Sequence, residues 1–262
     1  MNRIDERFAK VKADGRKALI TFLTVGDPNI EVSEKAIYTM QEEGVDLIEL
    51  GVPFSDPAAD GPVIQRADER ALAQGVDVFK VFELVRKIRN NVEVPMVFLL
   101  YYNVMVQYGI EKFFKCCQET GVDGLIIPDL PYEESDEIKE YTEKYGVYQI
   151  SLVSPTSKDR IKNIAKDAKG FLYCISSLGV TGEKSSFVTN FDEFVGTIKK
   201  YTDVPACVGF GVSNGRQVKE LTKYFDGAIV GSAIVKSIAT GESVEERINN
   251  LREKIKDLKS GL

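Results

Sequence analysis

Short runs of apolar residues recur along the chain, separated by charged segments whose apolar positions follow a helical period. The runs are ALITFLTVG from Ala18, DLIELG from Asp46, PMVFLLYYN from Pro95, GLIIPD from Gly124, YQISLVSPT from Tyr148, FLYCISS from Phe171, PACVGFG from Pro205 and GAIVGS from Gly227, eight in all. Near-continuous apolar strands of this kind are buried on both faces, as in a parallel sheet covered by helices. A period near 3.6 predicts helices over Glu31–Glu43, Val78–Arg89, Ile110–Thr120, Glu134–Tyr145, Arg160–Ala168, Phe191–Tyr201 and Ser213–Lys223, with a last one from about Val244 to Leu258. Strand and helix alternate throughout. Eight such units in 262 residues close naturally into an α/β fold, the (β/α)8 or TIM barrel; a doubly wound sheet is the alternative. No linker, low-complexity tract or charge block marks a boundary, so a single domain over 1–262 is expected. The segment MNRIDERFAKVKADGRK reads as an added N-terminal helix closing the bottom of the barrel.

Composition narrows the picture. A chain 44% hydrophobic and 28% charged can bury a sizeable core without disulfides or metal. The N-terminus lacks the unbroken apolar stretch of a signal peptide or membrane span, so a cytoplasmic protein with no membrane partner is expected. Lys and Arg are scattered among acids at a net charge of -6, which leaves no basic patch for nucleic acid. Cys116, Cys117, Cys174 and Cys207 fall at no CxxC spacing, and buried reduced thiols are expected. The absence of histidine removes the usual catalytic base, every Ser-His-Asp or Cys-His arrangement and the commonest zinc ligand. Acid-base chemistry must then use Asp, Glu, Tyr, Lys or Cys, and no Asp, Glu or Cys cluster has metal-ligand spacing.

In such barrels the active site forms at the C-terminal ends of the strands. Glu49 lies one residue from the end of DLIEL, and strand alternation puts Leu47 and Glu49 on one face with Ile48 and Leu50 on the other. With the second pair toward the helices, Glu49 points into the barrel mouth, where desolvation raises its pKa and suits it to general acid-base work. A structural glutamate held by a lysine or the backbone is the alternative. Asp56 and Asp60 stand in DP and DG steps that turns use routinely, and neither is a signal in isolation. CVGFGVSNGRQVKEL and GAIVGSAIVKSI each pair a strand end with glycines and a helix start, after strands seven and eight, where barrels commonly bind phosphate. SLGVTGEK, after strand six, could add a donor. No strand end carries a lysine for a Schiff base. Phe22, Leu100, Ile126, Leu152, Tyr173 and Phe210 stand at the strand ends instead, and an apolar, aromatic slot beside a phosphate site suits a flat substrate with a phosphorylated tail.

The stretches LIELGVPFSDPAADGPVIQRA, GVDGLIIPDLPYEE, FLYCISSLGVTG and VGFGVSNGRQVKEL with DGAIVGSAIVK together resemble the tryptophan synthase alpha chain family, from about Ile4 to Leu258. The resemblance implies a lyase that cleaves indole-3-glycerol phosphate to indole and glyceraldehyde 3-phosphate by a retro-aldol reaction. It implies Glu49 as the acid-base group and Asp60 as the carboxylate that holds the indole N–H. Tyr173, the loop residue Thr181 and Asp56 are implied as supporting groups, the last as a reporter of loop closure. Gly182, Phe210, Gly211, Gly231 and Ser232 are the implied phosphate shell, and Phe22, Leu100, Ile126 and Leu152 the indole contacts. Some family members carry arginine where this chain has Ser177. The implied partner is a tryptophan synthase beta chain in an α2β2 complex, with pyridoxal phosphate in that partner and no cofactor in this chain. The alternatives are a noncatalytic phosphate-binding barrel subunit that activates a partner, and another phosphate-binding barrel isomerase or synthase.

Overall fold

The computed structural model describes residues 1–175, 190–209 and 211–262, leaving aside the side chain of Lys158. Its strands are β1 (Ala18–Thr24), β2 (Leu47–Gly51), β3 (Met96–Leu99), β4 (Gly124–Ile126), β5 (Tyr148–Gln149), β6 (Leu152–Val153), β7 (Leu172–Ile175), β8 (Ala206–Gly209) and β9 (Gly227–Val230). All pairings are parallel, in the order β5-β4-β3-β2-β1-β9-β8-β7-β6. The two ends of that order are consecutive pieces of one extended segment. The Ile150 N–H donates to Leu125 O on one side at 2.8 Å, and Ser151 O accepts from the Tyr173 N–H on the other at 3.0 Å. The sheet is thereby closed, and the predicted run from Tyr148 appears as two short strands because its middle changes partner.

The helices are α1 (Arg3–Ala13), α2 (Ile30–Glu42), α3 (Pro62–Ala73), α4 (Val78–Ile88), α5 (Tyr102–Tyr108), α6 (Ile110–Thr120), α7 (Asp136–Tyr145), α8 (Ile161–Asp167), α9 (Phe191–Lys199), α10 (Gly215–Leu221), α11 (Ser232–Ala239) and α12 (Val244–Lys259). Those predicted from periodicity are all present, most of them a residue or two shorter. The pattern does not predict α3 or α5 as helices, whereas α11 begins at the helix start expected in GAIVGSAIVKSI. The first starts on a proline directly after Asp60 and Gly61, which read as a turn, although proline at the first helical position is a favourable start.

Alternation divides the core into two layers. Leu19, Leu23, Ile48, Leu50, Met96 and Phe98 pack outward against the helices, whereas Ala18, Ile20, Leu47, Val97, Ile126, Phe171, Cys207 and Ile229 fill the barrel. Helix α1 joins the inner layer: Ile4, Phe8 and Val11 pack onto it, each burial contributing about 2 kcal/mol before entropy. This closes the barrel's lower end, as the sequence predicts.

The same end carries a recurring device. Asp46, Asp123 and Asp226 each directly precede a strand, and each carboxylate accepts an N–H at the start of the strand before it in the chain, from its first or second residue. Asp46 takes Leu19 N–H at 3.0 Å, Asp123 takes Met96 N–H at 2.9 Å and Asp226 takes Ala206 N–H at 2.8 Å. Their charges are met by Arg16, Arg3 and Lys199. The buried Asp46 and Asp123 and the half-buried Asp226 are therefore all partnered. All four cysteines are free and buried, as expected.

Candidate functional site

The upper end of the barrel holds a carboxylate of a different kind. In β2, Glu49 pairs in register with Phe22 of β1 and Val97 of β3, so all three side chains point inward. Glu49 is 1% exposed and its Oε1 is buried without a hydrogen-bond partner among the described residues. Burial pushes its carboxyl up to about 8. A carboxylic acid that keeps its proton at neutral pH can both deliver and recover one.

Asp60 arrives from the loop after β2. The loop is folded on itself by Ala58 N–H to Asp56 O and Asp60 N–H to Pro57 O, at 2.9 and 3.0 Å. Gln65 of α3 donates to Asp60 O at 2.8 Å. Tyr101, just past β3, donates its hydroxyl to Asp60 Oδ2 at 2.8 Å and accepts from Ala59 N–H at 2.9 Å, with its ring stacked on Phe54. Burial raises the Asp60 carboxyl and the Tyr101 hydrogen bond opposes that rise. Burial, with the charges of Glu49 and Asp60, holds the Tyr173 phenol well above its ordinary value, so it enters the site as a neutral hydroxyl. Gly209 makes room for that ring: a Cβ there would lie 2.6 Å from the Tyr173 hydroxyl.

These groups surround a cavity of about 160 Å³ at the strand C-termini. Of the residues singled out in the sequence, Phe22, Glu49, Asp60, Ile126, Leu152, Tyr173, Gly211, Gly231 and Ser232 line it together, and Ala59, Ile64, Leu99, Pro128, Ile175, Val212 and Ile229 complete it. A dry apolar cavity of about 150 Å³ accommodates a benzene ring, so this one has the size and lining for a flat aromatic group. At one side stands the start of α11, with Gly231 as an N-cap that contributes no side-chain bond to the first-turn N–H groups. Gly211, at φ +89°, uses a conformation that favours glycine. Backbone donors at a helix start suit an anion.

One residue expected among the indole contacts stands elsewhere. Leu100 is fully buried in the outer layer, and Leu99 takes its place on the cavity. The reason is parity: Val97 and Leu99 face inward, so Met96, Phe98 and Leu100 face the helices. Asp56 lies at the outer edge of its loop, bonded by the Ser55 hydroxyl, in a surface groove with Phe54, Pro57 and Leu72. Thr181, Gly182, Phe210 and Ser177 lie outside the described residues. Sequence reasoning missed Leu99 and Ile229, which parity could have found, and Tyr101, whose contact with Asp60 has no local signature.

Comparison with known proteins places this geometry. The family model described as tryptophan synthase alpha chain matches residues 8–262. A tryptophan synthase alpha chain of Thermoanaerobacter sp. strain X514 is 48% identical over 262 residues, covering 100% of both chains. A chain in a structure of Mycobacterium tuberculosis tryptophan synthase superposes with a TM-score of 0.90 at 35% identity, over 99% of this chain and 98% of that one. An Aquifex aeolicus structure gives 0.91 at 38%, over 100% and 99%. With the family model spanning residues 8–262 and a relative 48% identical over the whole chain, the chain belongs to the tryptophan synthase alpha chain family, whose members cleave indole-3-glycerol phosphate in tryptophan biosynthesis.

Proposed function

We propose that this chain cleaves indole-3-glycerol phosphate by a retro-aldol step in which Glu49 moves the protons and Asp60 stabilises the positive charge. The observation that carries the reading is a buried, proton-holding Glu49 lining the same apolar cavity as a carboxylate held by Tyr101. The indole ring occupies the slot lined by Phe22, Leu99, Ile126 and Leu152, and the phosphate meets Gly211, Gly231 and Ser232 at the start of α11. Glu49 gives its proton to ring C3, and the ring becomes an iminium ion. Asp60 accepts the ring N–H and offsets that charge in a site of low dielectric. Glu49, now a carboxylate, takes the proton of the adjacent side-chain hydroxyl. The bond from C3 to the side chain then breaks, its electron pair returns to the ring, and indole and glyceraldehyde 3-phosphate leave with Glu49 reprotonated. Tyr173 contributes a neutral hydroxyl beside both carboxyls. Thr181, Gly182 and Phe210 belong to this reading as groups of the loop and phosphate shell.

The partner in this reading is a tryptophan synthase beta chain in an α2β2 assembly, carrying the pyridoxal phosphate, with the complex in the cytoplasm. Phe54, Asp56, Pro57 and Leu72 border a groove on the outer side of the loop that carries Asp60, which suits a contact that senses that loop. Among the described residues no helix is long and apolar enough to cross a membrane. The test is indole release by the purified chain, with and without beta chain, alongside Glu49→Gln and Asp60→Asn. Glu49-dependent indole release supports the reading; phosphate-ligand binding without it refutes it.

A further inference from the structure

Helix α3 is additional to the alternation of strands and helices, because α4 follows it before the chain enters β3. It lies at the barrel mouth, packed against β1 and α11, with Ile64 and Ala67 of its inner face against Phe22 and Val235. Its beginning belongs to the site. Asp60 stands two residues before Pro62, the first helical residue, the Gln65 amide donates to Asp60 O at 2.8 Å, and Ile64 lines the cavity. Wherever α3 sits, Asp60 and one wall of the cavity follow.

The other end of the helix is tied to the loop after β1. Arg70, in the last turn, donates from Nε to Asp27 Oδ1 at 2.7 Å and from Nη2 to Asp27 Oδ2 at 2.9 Å. Asp27 is 3% exposed, and Arg70 is the cation paired with it among the described residues. Two parallel bonds between a planar guanidinium and a carboxylate fix direction as well as charge, which a lysine ammonium does not do. Two neighbouring contacts join the same elements. The Thr24 hydroxyl donates to Asp68 Oδ1 at 3.2 Å, and Gly26 packs so closely on Val76, just past the end of α3, that a Cβ at Gly26 would lie 2.5 Å from a Val76 methyl. The receiving loop is itself held, since the Val25 N–H donates to Gly51 O at 3.0 Å and the Gly26 N–H to the Ser33 hydroxyl at 2.9 Å. Arg70 thus joins the helix that carries the site to a loop anchored on β2 and α2.

Arg70 takes no part in the reaction above and is absent from the described lining of the cavity. Resting on the cleavage reading for its catalytic meaning, we infer that Arg70 is a positioning residue whose paired bonds to Asp27 pin α3 at the barrel mouth and thereby hold Asp60 and Ile64 in place beside Glu49. Small displacements of a charge-stabilising group lower the rate steeply. A pair that only satisfied the charge of Asp27 would change stability and leave the rate of the folded chain alone.

The experiment compares Arg70→Ala and Arg70→Lys with wild type, at temperatures where circular dichroism shows each chain folded. Three quantities are read: kcat for indole release, affinity for glycerol 3-phosphate, and amide hydrogen exchange of peptides covering residues 58–73. Arg70→Ala is expected to lower kcat by at least about tenfold, with glycerol 3-phosphate affinity within about threefold of wild type. Exchange over residues 58–73 should quicken by at least about fivefold, while a peptide covering α1, at the other end of the barrel, keeps its rate. Arg70→Lys keeps the charge without the fork and recovers part of both losses. A folded Arg70→Ala chain with kcat within about threefold of wild type overturns the inference. So does a loss of kcat with exchange over residues 58–73 unchanged, which would place the effect of Arg70 elsewhere. If Arg70→Ala does not fold, Arg70→Lys and Asp27→Asn decide by the same readouts. A wild-type chain that releases no indole refutes the cleavage reading instead, and the exchange rates alone then decide whether Arg70 pins α3.

Discussion

Replacing Glu49 by Gln keeps the shape of the side chain and removes its proton equilibrium. In the folded chain burial moves that equilibrium from 4.5 up to about 8, so between those values the folded protein holds a proton that the unfolded chain gives up. Where the folded state binds more protons, stability falls as pH rises. The loss begins near pH 4.5 and is complete near pH 8. At about 1.4 kcal/mol for each unit, the wild type loses about 3 kcal/mol between pH 5 and pH 7 that the glutamine variant keeps. Unmet amide donors of the glutamine displace its curve by a constant, so the slope is the decisive quantity. Urea unfolding of both chains at pH 5, 6, 7 and 8 measures it, with indole release followed in parallel. The expected outcome is a variant that gains about 3 kcal/mol relative to wild type over that interval while kcat falls by about 10²-fold or more. A stability difference that stays flat with pH would show that Glu49 ionises normally, and the acid-base argument would fail. Turnover near the wild-type rate would remove Glu49 from the chemistry whatever the unfolding data show.

Three further outcomes follow from other parts of the molecule. Tyr101→Phe removes the 2.8 Å bond that favours ionised Asp60, so the acidic limb of the kcat/KM profile should move to higher pH by about one unit; an unmoved limb counts against the pairing. Gly209→Ala places a methyl where the Tyr173 hydroxyl lies, so kcat/KM for cleavage should drop by about tenfold or more while thermal unfolding stays cooperative; unchanged kinetics would show that Tyr173 need not hold its position. Asp46→Ala, at the opposite end, leaves the Leu19 N–H and Arg16 without their acceptor and should cost about 3 kcal/mol in urea unfolding with kcat unchanged. A loss of kcat in that variant at temperatures where it remains folded would contradict the separation of the two ends.

Much of this was legible in the chain. Apolar runs separated by amphipathic segments determined the barrel, because a strand buried on both faces must be apolar almost throughout and a covering helix must be apolar on one side. Strand parity placed Glu49 inside the barrel, and the same rule, applied to β3, selects Leu99 over Leu100. Glycines after the last two strands marked where an anion could approach the backbone.

What only the tertiary structure decided are meetings between residues far apart in the chain. Tyr101 meets Asp60, Gly209 yields space to Tyr173, and Asp68 accepts from the hydroxyl of Thr24. The sequence presents Asp46, Glu49, Asp60, Asp68 and Asp123 as comparable acids, but the fold gives them different chemistry. Asp46 and Asp123 are ringed by arginines and backbone donors at the bottom of the barrel. Glu49 is surrounded by apolar walls and keeps its proton. Residue type fixes which groups can ionise, but the energy of ionising depends on the distance to solvent and to other charges, and those distances exist only once the chain has folded.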